Sequence, residues 1–374
     1  MAELTSVQGE RTAANGLAAN AGLFDELQRH AFKKVLLCND AASGLRAVIA
    51  IHSTVLGPAN GGLRMWPYPT DEAAICDALR LARGMTYKWA AAGEDRGGGK
   101  AVIIGDPRTG KSEALLRAFG RFVEQLGGEY YTGEDVGTTL DDMEVIYRET
   151  DYVATLPEHV GGVGDISPAT AFGALQAMRA CAKRVWGEPS LAGRAVALQG
   201  LGMCGAKALR MLLDDGARVV VADVDPEKVR AATSHYGVTA VAPEAIHAQE
   251  VDVYAPFALG GVINDATVAE LRAKVVAGSA NNIFAEERHG DALDRRGIVY
   301  AVDYIANAGG AIMDAHQFHK GGFVREQAMR AVERIFERTE EVFARADRTG
   351  ISCYRAANEI AEQRIAAVQA VKGL

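Results

Sequence analysis

The sequence predicts an α/β protein of two domains, the second built on a parallel sheet with helices on both faces. Three observations lead there. The chain has 374 residues, enough for two domains at about 100–200 residues each. Its apolar runs are short and alternate with helix-period segments, and in the second half this alternation becomes regular, as a parallel sheet requires. A glycine-rich turn at residues 200–205 sits between a short apolar run and a helical pattern.

In order along the chain, Val35 to Cys38 and Arg46 to His52 read as strands joined by a hairpin through Asn39-Asp40 and Ser43-Gly44. Asp71 to Ala92 reads as a helix. Ala74, Ala78, Leu81 and Met85 recur at helical spacing, Thr70 is an N-cap, and Asp71 and Glu72 suit the N-terminal dipole. Gly97-Gly98-Gly99 breaks the pattern before a strand at Ala101 to Ile104, and Lys111 to Leu126 is a helix ended by Gly127-Gly128. The character changes near residue 150. Ser167 to Val185 is helical, and short apolar strands follow at Ala195–Leu198, Arg218–Ala222, Asp252–Ala255, Val275–Ala277 and Val299–Ala301. Gln327 to Ala346 and Tyr354 to Val371 read as amphipathic helices, and residues 1–22 as a polar tail or short helix.

Composition excludes several classes. The formal net charge of −8 argues against nucleic acid as a partner. Five scattered cysteines with no CxxC pair argue against a disulfide framework or zinc site and fit a reducing, cytoplasmic setting. The eight histidines show no ligand spacing, so no metal is expected. No apolar run reaches the ~18 residues a membrane span needs.

Gly200-Leu201-Gly202-Met203-Cys204-Gly205 is a GxGxxG in the context that makes it a dinucleotide site. Gly200 allows a tight turn, Gly202 lets backbone approach a pyrophosphate, and Gly205 lets helix and strand pack closely. The helix opening at Met203 and Cys204 offers N–H groups to the phosphates. Asp223 ends the next strand, about 20 residues on, where an acid binds the ribose hydroxyls and repels a 2′-phosphate; NAD is therefore expected over NADP.

Three further segments are unusual on physical grounds. Gly57-Pro58-Ala59-Asn60-Gly61-Gly62 is too glycine-rich for a packed element, and the N–H groups of Gly61 and Gly62 are placed to bind a carboxylate. Lys88 interrupts an apolar helix, and Lys100 follows three glycines into a buried strand; lysines in low-dielectric surroundings are candidates for depressed pKa values. Tyr131 to Gly137 places Glu134 and Asp135 on a glycine-flanked turn, where Glu134 can be a simple capping acid.

These stretches, with Leu81 to Pro107 (LARGMTYKWAAAGEDRGGGKAVIIGDP), Ala255 to Asn264, Gly278 to Asn282 (GSANN) and Gly297 to Gly310 (GIVYAVDYIANAGG), resemble the leucine/valine/phenylalanine branch of the Glu/Leu/Phe/Val dehydrogenases. The resemblance runs in order over nearly the whole chain after residue 30. It implies a substrate and oligomerisation domain at 23–150, a Rossmann domain at 151–335 on the other side of a cleft, and C-terminal helices at 336–374 packing back on the first domain. It implies reversible oxidative deamination of an L-amino acid by a homo-oligomer, dimer or octamer. By the same resemblance Lys88 binds the α-carboxylate, Lys100 is the catalytic lysine and Asp135 its acid/base partner. Asn307 contacts the amino acid, and Thr170 and Asn282 lie near the nicotinamide. Retention of Lys88, Lys100 and Asp135 speaks against an inactive relative, and a hydroxy-acid dehydrogenase would use a histidine base instead.

The chain departs from that pattern at the side-chain pocket. Asn60, Ala311 and Asp314 stand where leucine-type enzymes carry aliphatic residues, and 311 and 314 are one helical turn apart. A buried aspartate needs a partner. Asp314 therefore points to solvent, pairs with Arg96 or another protein cation, or pairs with the substrate; the expectation is a polar pocket that favours a polar, basic or large side chain over leucine or valine, the alternative an ordinary leucine, valine or phenylalanine dehydrogenase.

Overall fold

The computed structural model describes residues 22–373, so the expected tail at 1–22 lies outside the described residues but for Gly22. The chain forms two compact units, Met1–Gly164 with Glu362–Leu374, and Asp165–Ala361.

In the first unit, α1 (Leu23–Arg29) precedes the hairpin β1 (Lys34–Asp40) and β2 (Leu45–Ser53), then β3 (Ala59–Asn60), β4 (Leu63–Trp66), α2 (Asp71–Ala92), β5 (Gly97–Ile104), α3 (Glu113–Glu124), β6 (Tyr130–Tyr131) and α4 (Leu140–Tyr147). The strands form one mixed sheet, ordered β1-β2-β5-β3-β6, with β4 also paired to β5. Both faces are covered, so β2 reads as a continuous apolar run. Leu45, Ala47, Ile49 and Ile51 pack with Phe119, Met143 and Ile146 of α3 and α4. Val48 and Ala50 pack with Ala74, Ala78 and Ala82 of α2, and Val102 of β5 lies on that same face. By the period-two alternation of a strand, Gly98 and Lys100 also face α2. The helix begins where the sequence indicates, with Thr70 Oγ1 accepting from Ala73 N at 3.1 Å.

The boundary comes later than expected. Val153 and Leu156 belong to the first unit's core, and Ala154 N donates to Thr132 O at 2.6 Å, which ties the chain past 150 into that unit.

The second unit contains α5 (Ser167–Trp186), β7 (Ala195–Gln199), α6 (Met203–Asp214), β8 (Arg218–Ala222), α7 (Pro226–Tyr236), β9 (Thr239–Ala240), β10 (Val253–Pro256), α8 (Asp265–Glu270), β11 (Val275–Val276), α9 (Arg288–Arg295), β12 (Val299–Tyr300), α10 (Asp303–Ala306), α11 (Gly309–His316), α12 (Arg325–Glu333), α13 (Ile335–Thr349) and the start of α14 (Cys353–Lys372). Its strands are all parallel, in the order β12-β11-β10-β7-β8-β9. The order reverses at β7, where doubly wound sheets bind ligands.

The C-terminal helices also differ from expectation. The periodic stretch from 327 to 346 is two helices broken at Arg334, a break marked by neither glycine nor proline. α13 stays with the second unit, because its buried stripe of Ile335, Thr339, Val342 and Phe343 packs on α5, with Ile335 lying over Gly173. From Glu362 onward the chain belongs to the first unit. There Arg364 sits at the C-terminus of α2, donating to the carbonyls of Trp89, Ala90, Gly93 and Glu94 and to Asp95 at 2.7 Å. A guanidinium there adds to the capping of the helix C-terminus, where Trp89 O and Ala90 O already accept from the Glu94 and Gly93 N–H groups, and suits the negative end of the helix dipole.

Candidate active site

In the first unit the site is assembled around β5. The register of β5 against β3 and β4 places Asn60 beside Gly98 and Leu63 beside Ala101, so Gly61-Gly62 fall opposite Gly99-Lys100. The glycines are needed for closeness. A Cβ on Gly61 would lie 1.8 Å from Gly99 O, and one on Gly62 would lie 2.8 Å from Asp135 Cβ. One on Gly98 would lie 2.3 Å from the backbone nitrogen of Thr86 in α2. Lys100 is thus delivered to the sheet face beneath α2, where it is only 4% exposed.

Asp135 meets it from the turn after β6. Asp135 N donates to Thr138 Oγ1 at 3.0 Å, Thr138 Oγ1 donates to Leu63 O at 2.8 Å, and Gly137 takes φ +85 because Met65 O leaves no room for a Cβ. Lys100 Nζ lies 3.1 Å from Asp135 Oδ1. Arg64, on β4, donates from Nε to Asp135 Oδ2 at 2.9 Å and also reaches Asp77 of α2 at 3.0 Å. Asp77 is 5% exposed and accepts from Tyr68 Oη and from Arg80, each at 2.6 Å.

Burial pulls the proton affinity of Lys100 down; the Asp135 carboxylate opposes this and the Arg64 charge adds to it, leaving Lys100 below the ordinary lysine range. For Asp135 burial alone would raise the pKa, but Lys100 and Arg64 outweigh it and hold the group below the usual carboxylate range. Asp77 is likewise held ionised: burial works against it, and Arg64 and Arg80 prevail.

The sequence leads one to expect Lys88, Lys100, Asp135, Asn60, Gly61 and Gly62 at one site. Lys88 lies on α2, partly buried, and the other five lie along β3, β5 and the Asp135 turn. Gly61 is corrected in one respect. Its N–H donates to Tyr131 O at 3.2 Å as part of the sheet, so it is committed and cannot take a ligand carboxylate. Asn60 is 2% exposed; its carbonyl accepts from Trp89 Nε1 at 3.0 Å, and its side-chain Nδ2 has no partner. Arg64, Asp77, Tyr68 and Arg80 were not singled out. Arg64 stands between Leu63 and Met65 on an apolar strand, and Asp77 lies beside the Ala74–Ala78 stripe, so charge in an apolar period was the available signal.

In the second unit the glycine turn has the form its sequence indicates. Gly200 takes φ +104, and a Cβ there would meet Phe257 and Ala258. A Cβ on Gly205 would lie 2.0 Å from Gly200 O, while the space at Gly202 is open. Met203 and Cys204 form the first turn of α6, which has no side-chain cap. Asp223, just past β8, accepts from Leu201 N at 2.6 Å and Asp225 N at 2.8 Å, which fixes its carboxylate beside the turn. An open glycine, an uncapped helix start and an oriented acid fit a dinucleotide.

Thr170 lies in α5, its Oγ1 where a Cβ on Gly310 would be 2.4 Å away. Asn282 is exposed with φ +51. Asn307 is buried; its Nδ2 donates to Asn281 Oδ1 at 2.8 Å and Ser279 O at 3.3 Å, and its Oδ1 has no partner. Asp303 reinforces the same loop by accepting from Ile283 N at 3.1 Å. On α11, Ala311 is partly buried and Asp314 is buried, accepting from Gln317 Nε2 at 2.9 Å.

A sheet-borne lysine–aspartate pair in one unit and a turn that fits a dinucleotide in the other suit the class of amino-acid dehydrogenases that use a pyridine nucleotide. A family model described as the Glu/Leu/Phe/Val dehydrogenase dimerisation domain matches residues 32–152, and one described as Glutamate/Leucine/Phenylalanine/Valine dehydrogenase matches residues 221–373. The chain belongs to this Glu/Leu/Phe/Val dehydrogenase family. It is 52% identical over 343 residues to the leucine dehydrogenase of Geobacillus stearothermophilus, covering 92% of this chain and 93% of that one. It is 52% identical over 336 residues to the valine dehydrogenase of Streptomyces virginiae, covering 89% and 93%. The crystal structure of L-tryptophan dehydrogenase from Nostoc punctiforme is similar at 39% identity and TM-score 0.80, covering 93% of this chain and all of that one.

Proposed function

We propose that the protein catalyses NAD-dependent oxidative deamination of an L-amino acid to the 2-oxo acid and ammonia, reversibly, as a homo-oligomer. The observation that carries this is the Lys100–Asp135 contact at 3.1 Å on a buried sheet face. Lys88, with the Gly62 N–H, binds the substrate α-carboxylate. The α-ammonium must lose a proton before its Cα can be oxidised, and Asp135 receives it. Neutral Lys100 favours that step, because one of the two cations that hold the Asp135 pKa down is then absent. The glycine turn would hold the pyrophosphate of a dinucleotide, whose nicotinamide would supply the hydride acceptor. Lys100 then deprotonates the water that attacks the imine carbon, and as an ammonium it stabilises the oxygen that develops there. Its lowered proton affinity suits a group that must alternate near working pH. Asp223 supports NAD over NADP, Asn307 offers its unpaired Oδ1 to the substrate ammonium, and Thr170 and Asn282 border the nicotinamide.

The side-chain pocket is proposed to be polar. Asn60 shares the α2 face of the sheet with Lys100, and its buried, unpartnered amide nitrogen would cost about 1–3 kcal/mol with no ligand acceptor. Asp314 gives weaker support, since Gln317 already satisfies one oxygen. Leucine or valine specificity is the second reading, favoured by the 52% identity to dehydrogenases of those names. NADH absorbance with a panel of amino acids, run alkaline with NAD and NADP, tests both. Faster turnover of polar or basic amino acids supports the polar pocket, and a preference for leucine or valine overturns it. No turnover of any amino acid overturns the whole proposal.

A further inference from the structure

The mechanism above uses Lys100 and Asp135 and leaves unexplained the charged groups gathered behind them. Arg64 spans a partly buried carboxylate, Asp135 at 2.9 Å, and a buried one, Asp77 at 3.0 Å. Asp77 is gripped in turn by Tyr68 and Arg80. As a stability device this is weak, since buried ion pairs replaced by apolar groups are often neutral or stabilising. As a clamp it is specific: one Asp135 oxygen faces Arg64 and the other faces Lys100. A planar guanidinium can hold two carboxylates in a fixed orientation, which an ammonium cannot.

We propose that Arg64 is a positioning residue for the reaction, clamping Asp135 Oδ2 so that Oδ1 stays aimed at Lys100, with Asp77 as the anchor that fixes Arg64. This rests on the reading of Lys100 and Asp135 as the reacting pair. Lys100 gains and loses its proton in each cycle, whereas Arg64 stays charged throughout. When Lys100 is neutral, Arg64 alone keeps Asp135 from turning away.

The same charge sets where the pair titrates. Among the described residues, the charged and titratable groups around it are Lys100 of β5, Asp135 of the turn, Arg64 of β4, Asp77 of α2 with Arg80 on its far oxygen, and the phenols of Tyr68 and Tyr130. Arg64 disfavours protonated Lys100 and Asp77 favours it. Loss of the Arg64 charge therefore moves the acid limb of kcat/KM, which reports Lys100 becoming neutral, to higher pH. Loss of the Asp77 charge moves it the other way.

The test is a pH profile of kcat and kcat/KM for wild type, Arg64→Gln, Arg64→Lys, Asp77→Asn and Lys100→Ala, with folding followed by circular dichroism. Arg64→Gln is expected to lower kcat by ~10-fold or more, change KM less, and raise the acid limb by about half a pH unit or more. Arg64→Lys should keep the limb near wild type while recovering only part of kcat, because it restores charge and not the two-carboxylate grip. Asp77→Asn should lower the limb. A folded Arg64→Gln with wild-type kcat and limb overturns the inference, as does an effect on KM alone. If Arg64→Gln does not fold, the limb positions of Arg64→Lys and Asp77→Asn decide, and an unmoved limb in Asp77→Asn overturns it. Wild-type turnover in Lys100→Ala instead overturns the reading of the pair itself.

Discussion

Replacing Gly98 by alanine tests whether close approach of α2 to β5 builds the site. The added methyl would stand 2.3 Å from Thr86 N and 2.5 Å from Ala82 O, both backbone atoms of the helix, so no rotamer change relieves it. To restore an ordinary contact of ~3.4 Å the helix must move away by about 1 Å. Lys88 rides on that helix and Lys100 does not, so the shift separates the proposed carboxylate anchor from the reacting pair. A misplacement of about 1 Å costs on the order of 10²-fold in rate, and overpacking of this kind costs about 1–3 kcal/mol. The expected outcome is a fall of about 10² in kcat/KM for the amino acid and a melting temperature lower by about 2–4 °C for each kcal/mol, with little change in NAD affinity. Steady-state NADH kinetics, a melting curve and a cofactor titration measure these. Wild-type kinetics together with a wild-type melting temperature would refute the reasoning, since the helix would then have had room to spare.

Lys100→Met should reduce turnover by at least ~10³-fold yet leave the melting temperature unchanged or raised, because a buried charge is removed while Asp135 keeps Arg64; a large drop in melting temperature would contradict this. Asp135 and Asp77 have folded pKa values below their unfolded ones, so their stabilisation is present above about pH 4 and is lost as pH falls through the folded values; urea unfolding across acid pH should show Asp77→Asn losing part of that dependence. Asp223→Ser should narrow the preference for NAD, seen in kcat/KM with both cofactors, and equal use of NADP by wild type would remove its assigned role. Asn60→Leu with Asp314→Val should shift the amino-acid panel toward leucine, and an unchanged ranking would show that neither residue touches the substrate side chain.

The elements with strong local signals were legible in the sequence. Helix α2 was readable to the residue because Thr70 caps it and its alanines recur on one face, and the glycine turn because each of its three glycines has its own steric reason. The lysine–aspartate pair stood out because glycines beside Lys100 and Asp135 mark backbone held unusually close. The rest depended on long-range packing. Nothing near Arg64 indicates that its two partners come from α2 and from the turn after β6, and nothing near Arg364 indicates that it caps a helix more than half the chain away. The Gly61 N–H looked available because its acceptor, Tyr131 O, belongs to a two-residue strand too short to recognise.

The cap provided by Arg364 bears on how the protein is made. The first unit consists of the beginning of the chain and its last residues, with the second unit inserted between them. On the ribosome the second unit, a contiguous segment, can complete itself as it emerges. The first unit draws on residues that come after it: Arg364 donates to carbonyls at the end of α2, Tyr87 Oη donates to Glu362, and Lys372 Nζ donates to Val55 O. The end of the helix that carries Lys88 is therefore tied down by a residue that follows the second unit in the chain.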